Sequence, residues 1–110
     1  MIENQIKQQD FQVFRGDTVR LYIDLSECIA LGLNIEKIRS AHFIAQGASG
    51  KIEKYTEDLQ FVHHLACLYL AHFETKDKYA YMYYRLILED EWGDFVTAAH
   101  GDIEFLAYMS

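Results

Sequence analysis

Five histidines, two cysteines and seventeen acidic side chains are the groups in this chain best suited to chemistry. A metal centre is the first thing such residues could build. His63 and His64 are adjacent. On a strand, neighbours point to opposite faces, so this pair cannot readily share one ion. His42, His72 and His100 would have to converge from three separate segments to supply the three or four ligands that zinc needs. The simpler reading is a set of surface and partly buried imidazoles, and no metal site is expected. Such groups change charge between roughly pH 5 and 8, so an interface containing them would respond to acid. The run Glu89-Asp90-Glu91-Trp92-Gly93-Asp94 has contiguous carboxylates broken by an indole, whereas a calcium loop alternates its acids. It is expected to be a solvated hairpin turn. A glycosidase needs two acids about 5–10 Å apart, and nothing singles out one pair among seventeen. Gly47-Ala48-Ser49-Gly50-Lys51 has the wrong spacing for a phosphate loop. Cys28 and Cys67 form no Cys-x-x-Cys knuckle; both are expected to be buried, reduced hydrophobes. The chain is therefore expected not to be an enzyme, and it implies no cofactor.

The aromatic residues are more informative. On a strand, Tyr79, Tyr81 and Tyr83 share the face opposite Met82 and Tyr84. If the latter face is core, three tyrosines line the outside, joined by Tyr22 and Tyr108 on outward parities of their own strands. Rings decorate sheets by preference, but tyrosine also supplies rigid contact area with a polar tip. Trp92, at the tip of an acidic turn, is costly to expose unless it meets a partner. The candidate protein-contact residues are thus Tyr22, Tyr79, Tyr81, Tyr83 and Trp92. A carbohydrate platform is a narrower version of the same idea.

The elements that must hold these rings are short. Residues 1–10 are polar, anchored by Ile2 and Ile6 alone, and are expected to form an arm, mobile or docked on a neighbouring subunit. Residues 11–110 are expected to form a single domain. Phe11 to Phe14 predicts a short strand, and Thr18 to Leu25 alternates strictly over eight residues. Ser26 to Leu31 suits a helical turn capped by the Ser26 hydroxyl. Ile38 to Ala45 and an edge strand at Lys51 to Thr56 follow, the latter guarded by lysines. Gln60 to Leu70 is ambiguous between helix and strand, and strand is preferred. His72 to Lys78 is a polar connection with room for one helical turn. Tyr79 to Leu88 and Phe95 to Ala99 form a hairpin in which Gly93 suits a positive φ, and Gly101 suits a bulge or kink. About seven short strands with frequent turns favour an all-β antiparallel sandwich.

The remaining composition narrows the classes. The 110 residues carry a net charge of -7 and 51% apolar side chains. An acidic chain lacks the basic surplus with which nucleic-acid binders displace counterions. The longest apolar stretch, Leu65 to Ala71, has seven residues, far below the roughly 18–20 that span a bilayer. Met1 to Gln5 lacks the basic start of a secretory signal. Neither nucleic acid nor membrane is an expected partner, and the cytoplasm is the expected site of synthesis.

Phe14-Arg15-Gly16-Asp17-Thr18 followed by the strand Val19 to Leu25 resembles the opening of the N-terminal domain of phage baseplate upper proteins. Ile38-Arg39-Ser40-Ala41-His42-Phe43 and Leu70-Ala71-His72-Phe73-Glu74-Thr75 are similar to later strands and connections of that family. So are Tyr83 to Leu88 and Ala99-His100-Gly101-Asp102-Ile103. The similarity runs over about residues 11–108. Where the family has a glycine, often with proline, before the tyrosine strand, this chain has Asp77-Lys78. The resemblance implies an immunoglobulin-like sandwich serving as a phage or prophage tail component. It implies other baseplate subunits as partners, homo-oligomerisation, and residence in the virion after assembly in the bacterial cytoplasm. It carries over no catalytic residues, and Arg15-Gly16-Asp17 is expected to be structural. A different class remains open: a small acidic phage inhibitor of a host defence protein, of the anti-CRISPR kind, whose carboxylates would fill a basic channel.

Overall fold

The structure is a computed structural model that describes residues 6–107. Its elements in chain order are β1 (Phe11–Phe14), β2 (Val19–Asp24), α1 (Ser26–Ala30), β3 (Ser40–Gly47), β4 (Gly50–Tyr55), β5 (Leu59–Val62), β6 (Leu65–Leu70), α2 (His72–Thr75), β7 (Ala80–Glu89) and β8 (Phe95–Leu106). Two 3-10 turns, Ile35–Lys37 and Thr56–Asp58, complete the set. A five-stranded sheet runs β1-β8-β7-β3-β4, and a three-stranded sheet runs β2-β6-β5. β2, β6 and β5 thus lie in one sheet and β3, β7 and β8 in the other, the division of strands found in an immunoglobulin sandwich. Among the described residues there are eight strands where about seven were expected, and the ladder between β1 and β8 is parallel while the others are antiparallel.

Alternation places the core. Leu21 and Ile23 of β2, Ala66, Leu68 and Leu70 of β6, and Phe43 and Ala45 of β3 are buried. So are Met82, Tyr84, Leu86 and Leu88 of β7, with Ile103 and Phe105 of β8. Each large side chain removed from water in this way contributes about 1.5–3 kcal/mol. Gln60 to Leu70 is extended, but as two strands joined by a turn at His63, whose φ is 56°, and His64. The turn contains no glycine, asparagine or proline, which is why the sequence reads as one segment.

Three local expectations are corrected. Ser26 does not cap α1; it is the first helical residue, and Asp24 Oδ1 accepts both its backbone N–H (2.8 Å) and its hydroxyl. Gly101 is not a bulge. The irregularity lies where Leu86 pairs with Ala99 and Ile87 with Thr97, leaving Ala98 as the extra residue. Gly101 is needed instead for close approach: a Cβ there would stand 2.0 Å from the Gln9 carbonyl oxygen. Finally, residues 6–10 of the expected arm pack on the chain's own domain. Ile6 is buried, and the Gln9 N–H donates to the His100 carbonyl at 2.9 Å. The Gln9 side-chain amide pairs with both backbone groups of Asp24, at 2.6 and 2.9 Å. Gln9 thus ties the edge of β2 to β8 across the two sheets. Residues 1–5, with Ile2, and residues 108–110, with Tyr108, lie outside the described residues.

Arg15-Gly16-Asp17 is held from behind by α2. His72 Nδ1 bonds the Gly16 carbonyl (2.6 Å), and the buried Thr75 hydroxyl donates to the Asp17 carbonyl (2.8 Å). Lys54 points inward from the edge strand β4 and pairs with Glu74 of α2 at 2.8 Å, a device that discourages strand addition at an edge.

Candidate functional site

Tyr81 and Tyr83 alternate with buried Met82 and Tyr84, so the pleat of β7 puts them on the outer face of the five-stranded sheet, 57% and 47% exposed. Their hydroxyls are already engaged. Tyr83 bonds His100 Nδ1 at 2.9 Å, and the opposite ring nitrogen of His100 meets the Ile6 carbonyl at 3.1 Å. The charge of Glu104, and then a hydrogen bond to it, raises the Tyr81 phenol pKa above its ordinary value. Glu104 also accepts from Gln12 Nε2 at 3.0 Å. Arg85 donates to the Thr97 hydroxyl at 2.6 Å.

The far side of the same face holds a second network that sequence reading missed. Glu53 on β4 receives His42 Nε2 (2.8 Å), Lys51 Nζ (3.1 Å) and the Tyr55 hydroxyl (3.0 Å). The His42 and Tyr55 rings stack, 4.8 Å apart and 5° from parallel. Hydrogen bonds from His42, then Lys51 and Tyr55, hold the Glu53 carboxyl down at about 2. The cross-strand pairing of His42 with Tyr55 unites two residues thirteen apart, which no local pattern announces.

Tyr22 is elsewhere. It lies on the outer face of the three-stranded sheet, in register with Cys67 and Gln60. Tyr69, Leu65 and Val62 share this face, and Tyr22, Tyr69 and Val62 are each about half exposed. The Arg20 guanidinium sits 5.7 Å from the centre of the Tyr69 ring. Cys67 is on this outer face and only partly covered, contrary to expectation, because Ala66, Leu68 and Leu70 take the inward positions of β6. Cys28 is buried, which pushes its thiol pKa up. Splitting Gln60–Leu70 at the two histidines would have revealed Leu65, Cys67 and Tyr69 as one parity.

Tyr79 does not join Tyr81 and Tyr83. It precedes β7, and the left-handed φ of 58° at Ala80 breaks the alternation. Its hydroxyl and carbonyl instead reach Ala48 and Ser49 in the β3–β4 turn, both at 3.5 Å.

Trp92 occupies the β7–β8 turn and is 72% exposed. Asp90 builds that turn by accepting the N–H groups of Trp92 and Asp94, each at 2.9 Å, while Gly93 adopts a φ of 86°. The carboxylate of Asp90 is thus used as a turn former. Beside Trp92 a cavity of about 140 Å³ opens against Cys28, Leu31, Leu33 and Val96. A broader depression of about 640 Å³ continues over Ile29, Ile35, Phe61 and His63. The β2–β3 connection, the β5–β6 turn and the β7–β8 turn therefore gather at one end of the sandwich. Leu31 and Phe95 are exposed there as well, and Lys37 approaches Glu91 at 3.8 Å.

The five candidate residues do not form one patch. Tyr81 and Tyr83 share one outer face, Tyr22 the other, Trp92 one loop end and Tyr79 a separate hairpin turn. Among the described residues, no group of three or more His, Cys, Asp or Glu side chains is arranged to hold a metal ion. The chain matches no protein-family model, and no curated protein proves similar to it in sequence.

Proposed function

We propose that this chain is a non-enzymatic interaction module, a structural component of a phage or prophage tail or baseplate that works through protein–protein interfaces. The observation that carries the reading is Trp92, 72% exposed on a turn whose backbone is locked by Asp90. A rigidly presented indole beside an apolar recess has the form of a binding hot spot, and loops gathered at one end of a sandwich are where such domains bind. The partners are other tail or baseplate subunits, met in the bacterial cytoplasm during assembly and retained in the virion. Sedimentation velocity of the chain mixed with each tail protein encoded by neighbouring genes tests this. A co-sedimenting complex is expected, lost in Trp92→Ala and kept in Tyr83→Phe. Unchanged sedimentation with every such protein, or a complex indifferent to Trp92→Ala, overturns it.

The acidic inhibitor reading has one observation in its favour. Asp10, Asp102 and Glu104 line a shallow recess with Tyr81. Lys51 and Arg85 share the same outer face, so the negative surface is small. Binding of a basic-channel defence protein, abolished by neutralising these three acids, would favour that reading over assembly.

A further inference from the structure

The outer face of the β2-β6-β5 sheet has a layout that is complementary to itself. Its central row, in register across the strands, is Tyr22, Cys67 and Gln60. One row toward the start of β2 stand Arg20 and Tyr69; one row toward its end stand Asp24, Leu65 and Val62. The middle is thus neutral and partly apolar, with a cation at one end of β2 and an anion at the other. Neither Arg20 nor Asp24 has an ion-pair partner among the described residues. Hydrogen bonds from Ser26 keep the Asp24 carboxyl below its ordinary pKa, so it stays charged at neutral pH.

Consider a two-fold axis lying in the plane of contact, across the strands and along the central row. It reverses strand direction and turns the face onto itself. Arg20 of each copy then stands over Asp24 of the other, twice in one interface. Tyr69 meets the second copy's Leu65, and Cys67 meets Cys67. At the edge, Glu57 and Asp58, which line the depression beside Arg20, approach the second copy's His63–His64 turn, so no acidic row opposes another. Such a contact is isologous and closes on itself. It joins sheets roughly aligned face to face, with tyrosines giving area and charges setting register.

We infer that this face is the dimerisation surface for a second copy of the same chain, docked in that register. The inference rests on reading the chain as an interface protein, but it uses a surface separate from the Trp92 end, so each can fail alone.

The test is sedimentation equilibrium over a wide concentration range, with circular dichroism as the check on folding. The parent chain is expected to dimerise reversibly. Arg20→Glu alone sets two acids against each other and should weaken the dimer by about tenfold or more; Asp24→Lys alone sets two cations together and should do the same. An equimolar mixture of the two variants restores both pairs and should form a heterodimer of parent-like affinity. A short bis-maleimide should cross-link the parent into a covalent dimer through Cys67, an outcome lost in Cys67→Ser and kept in Cys28→Ser. A parent chain that stays monomeric throughout overturns the inference. So does a dimer indifferent to Arg20→Glu, or a mixture of folded variants that does not rescue association. A dimer lost in Trp92→Ala but kept in Arg20→Glu would move the contact to the loop end.

Discussion

The two outer faces of the sandwich carry similar rings and use them differently. On the five-stranded face, Tyr81, Tyr83 and Tyr55 all spend their hydroxyls on neighbours: Glu104, His100 and Glu53. On the three-stranded face, the Tyr22 hydroxyl has no hydrogen-bond partner among the described residues; Arg20 lies over the Tyr69 ring and Asp24 accepts from Ser26, but neither has an opposite charge among the described residues within ion-pair distance. The edges differ too. β4 carries Lys51, Glu53 and Lys54, whereas β5, Leu59-Gln60-Phe61-Val62, carries no charge and relies on being only four residues long. Exposure alone therefore does not distinguish a contact surface. What distinguishes the two is whether a ring hydroxyl has a hydrogen-bond partner and a charge has a counter-charge within the chain, because a group without one can gain it on association and a group with one must first lose it.

The clasp that both faces share is where a substitution should cost most. Gly101→Ala drives a methyl into the Gln9 carbonyl and should cost about 3 kcal/mol in urea unfolding, with both faces lost together. A destabilisation below about 0.5 kcal/mol would show that Gln9 does not join the sheets. Next, Glu74→Ala strands Lys54, whose side chain is 14% exposed, and should cost about 2 kcal/mol; the measurement is again urea unfolding, and Glu74→Gln should recover part of the loss.

Paired hydroxyl deletions sharpen the contrast between the faces. Tyr83→Phe removes the bond to His100 and should cost about 0.5–1 kcal/mol. Tyr22→Phe removes no hydrogen bond made among the described residues and should change stability by less than about 0.3 kcal/mol. Equal losses would abolish the distinction. The smallest effect is in acid. The Glu53 carboxyl is lowered from 4.5 to about 2. A lowered carboxyl stabilises the fold fully above the unfolded value and loses that contribution as pH falls through the folded one. Side-chain NMR should thus show Glu53 titrating near pH 2, and moving toward 4.5 in His42→Ala. Titration near 4.5 in the parent would mean the His42–Glu53–Tyr55 network does not form in solution.

Much of this was legible in the residues. Alternation in Thr18 to Leu25 and in Met82 to Leu88 gave β2 and β7 their correct inward faces, since a period of two leaves no other choice of register; Ala80, expected on the inward side, is exposed. The polar connection at His72 supplied α2, and lysines marked β4 as an edge. The candidate rings were found as exposed, but their grouping was not. Tyr79 was separated from Tyr81 by one left-handed residue, Ala80, which leaves no trace in composition. Tyr69 and Cys67 were hidden because a turn made of two histidines carries no turn signal.

The amino-acid pattern was therefore enough for the inward and outward faces of β2 and most of β7, and for an all-β sandwich, because those are properties of a local repeat, whereas the parity of β6 was not read from it. Which strands lie side by side came from long-range packing alone. That choice put Tyr22 and Tyr81 on opposite faces, brought His42 onto Tyr55, and wedged Gln9 against Gly101. Strand pairing is fixed by the simultaneous burial of side chains distant along the chain, and no window of neighbouring residues contains that information.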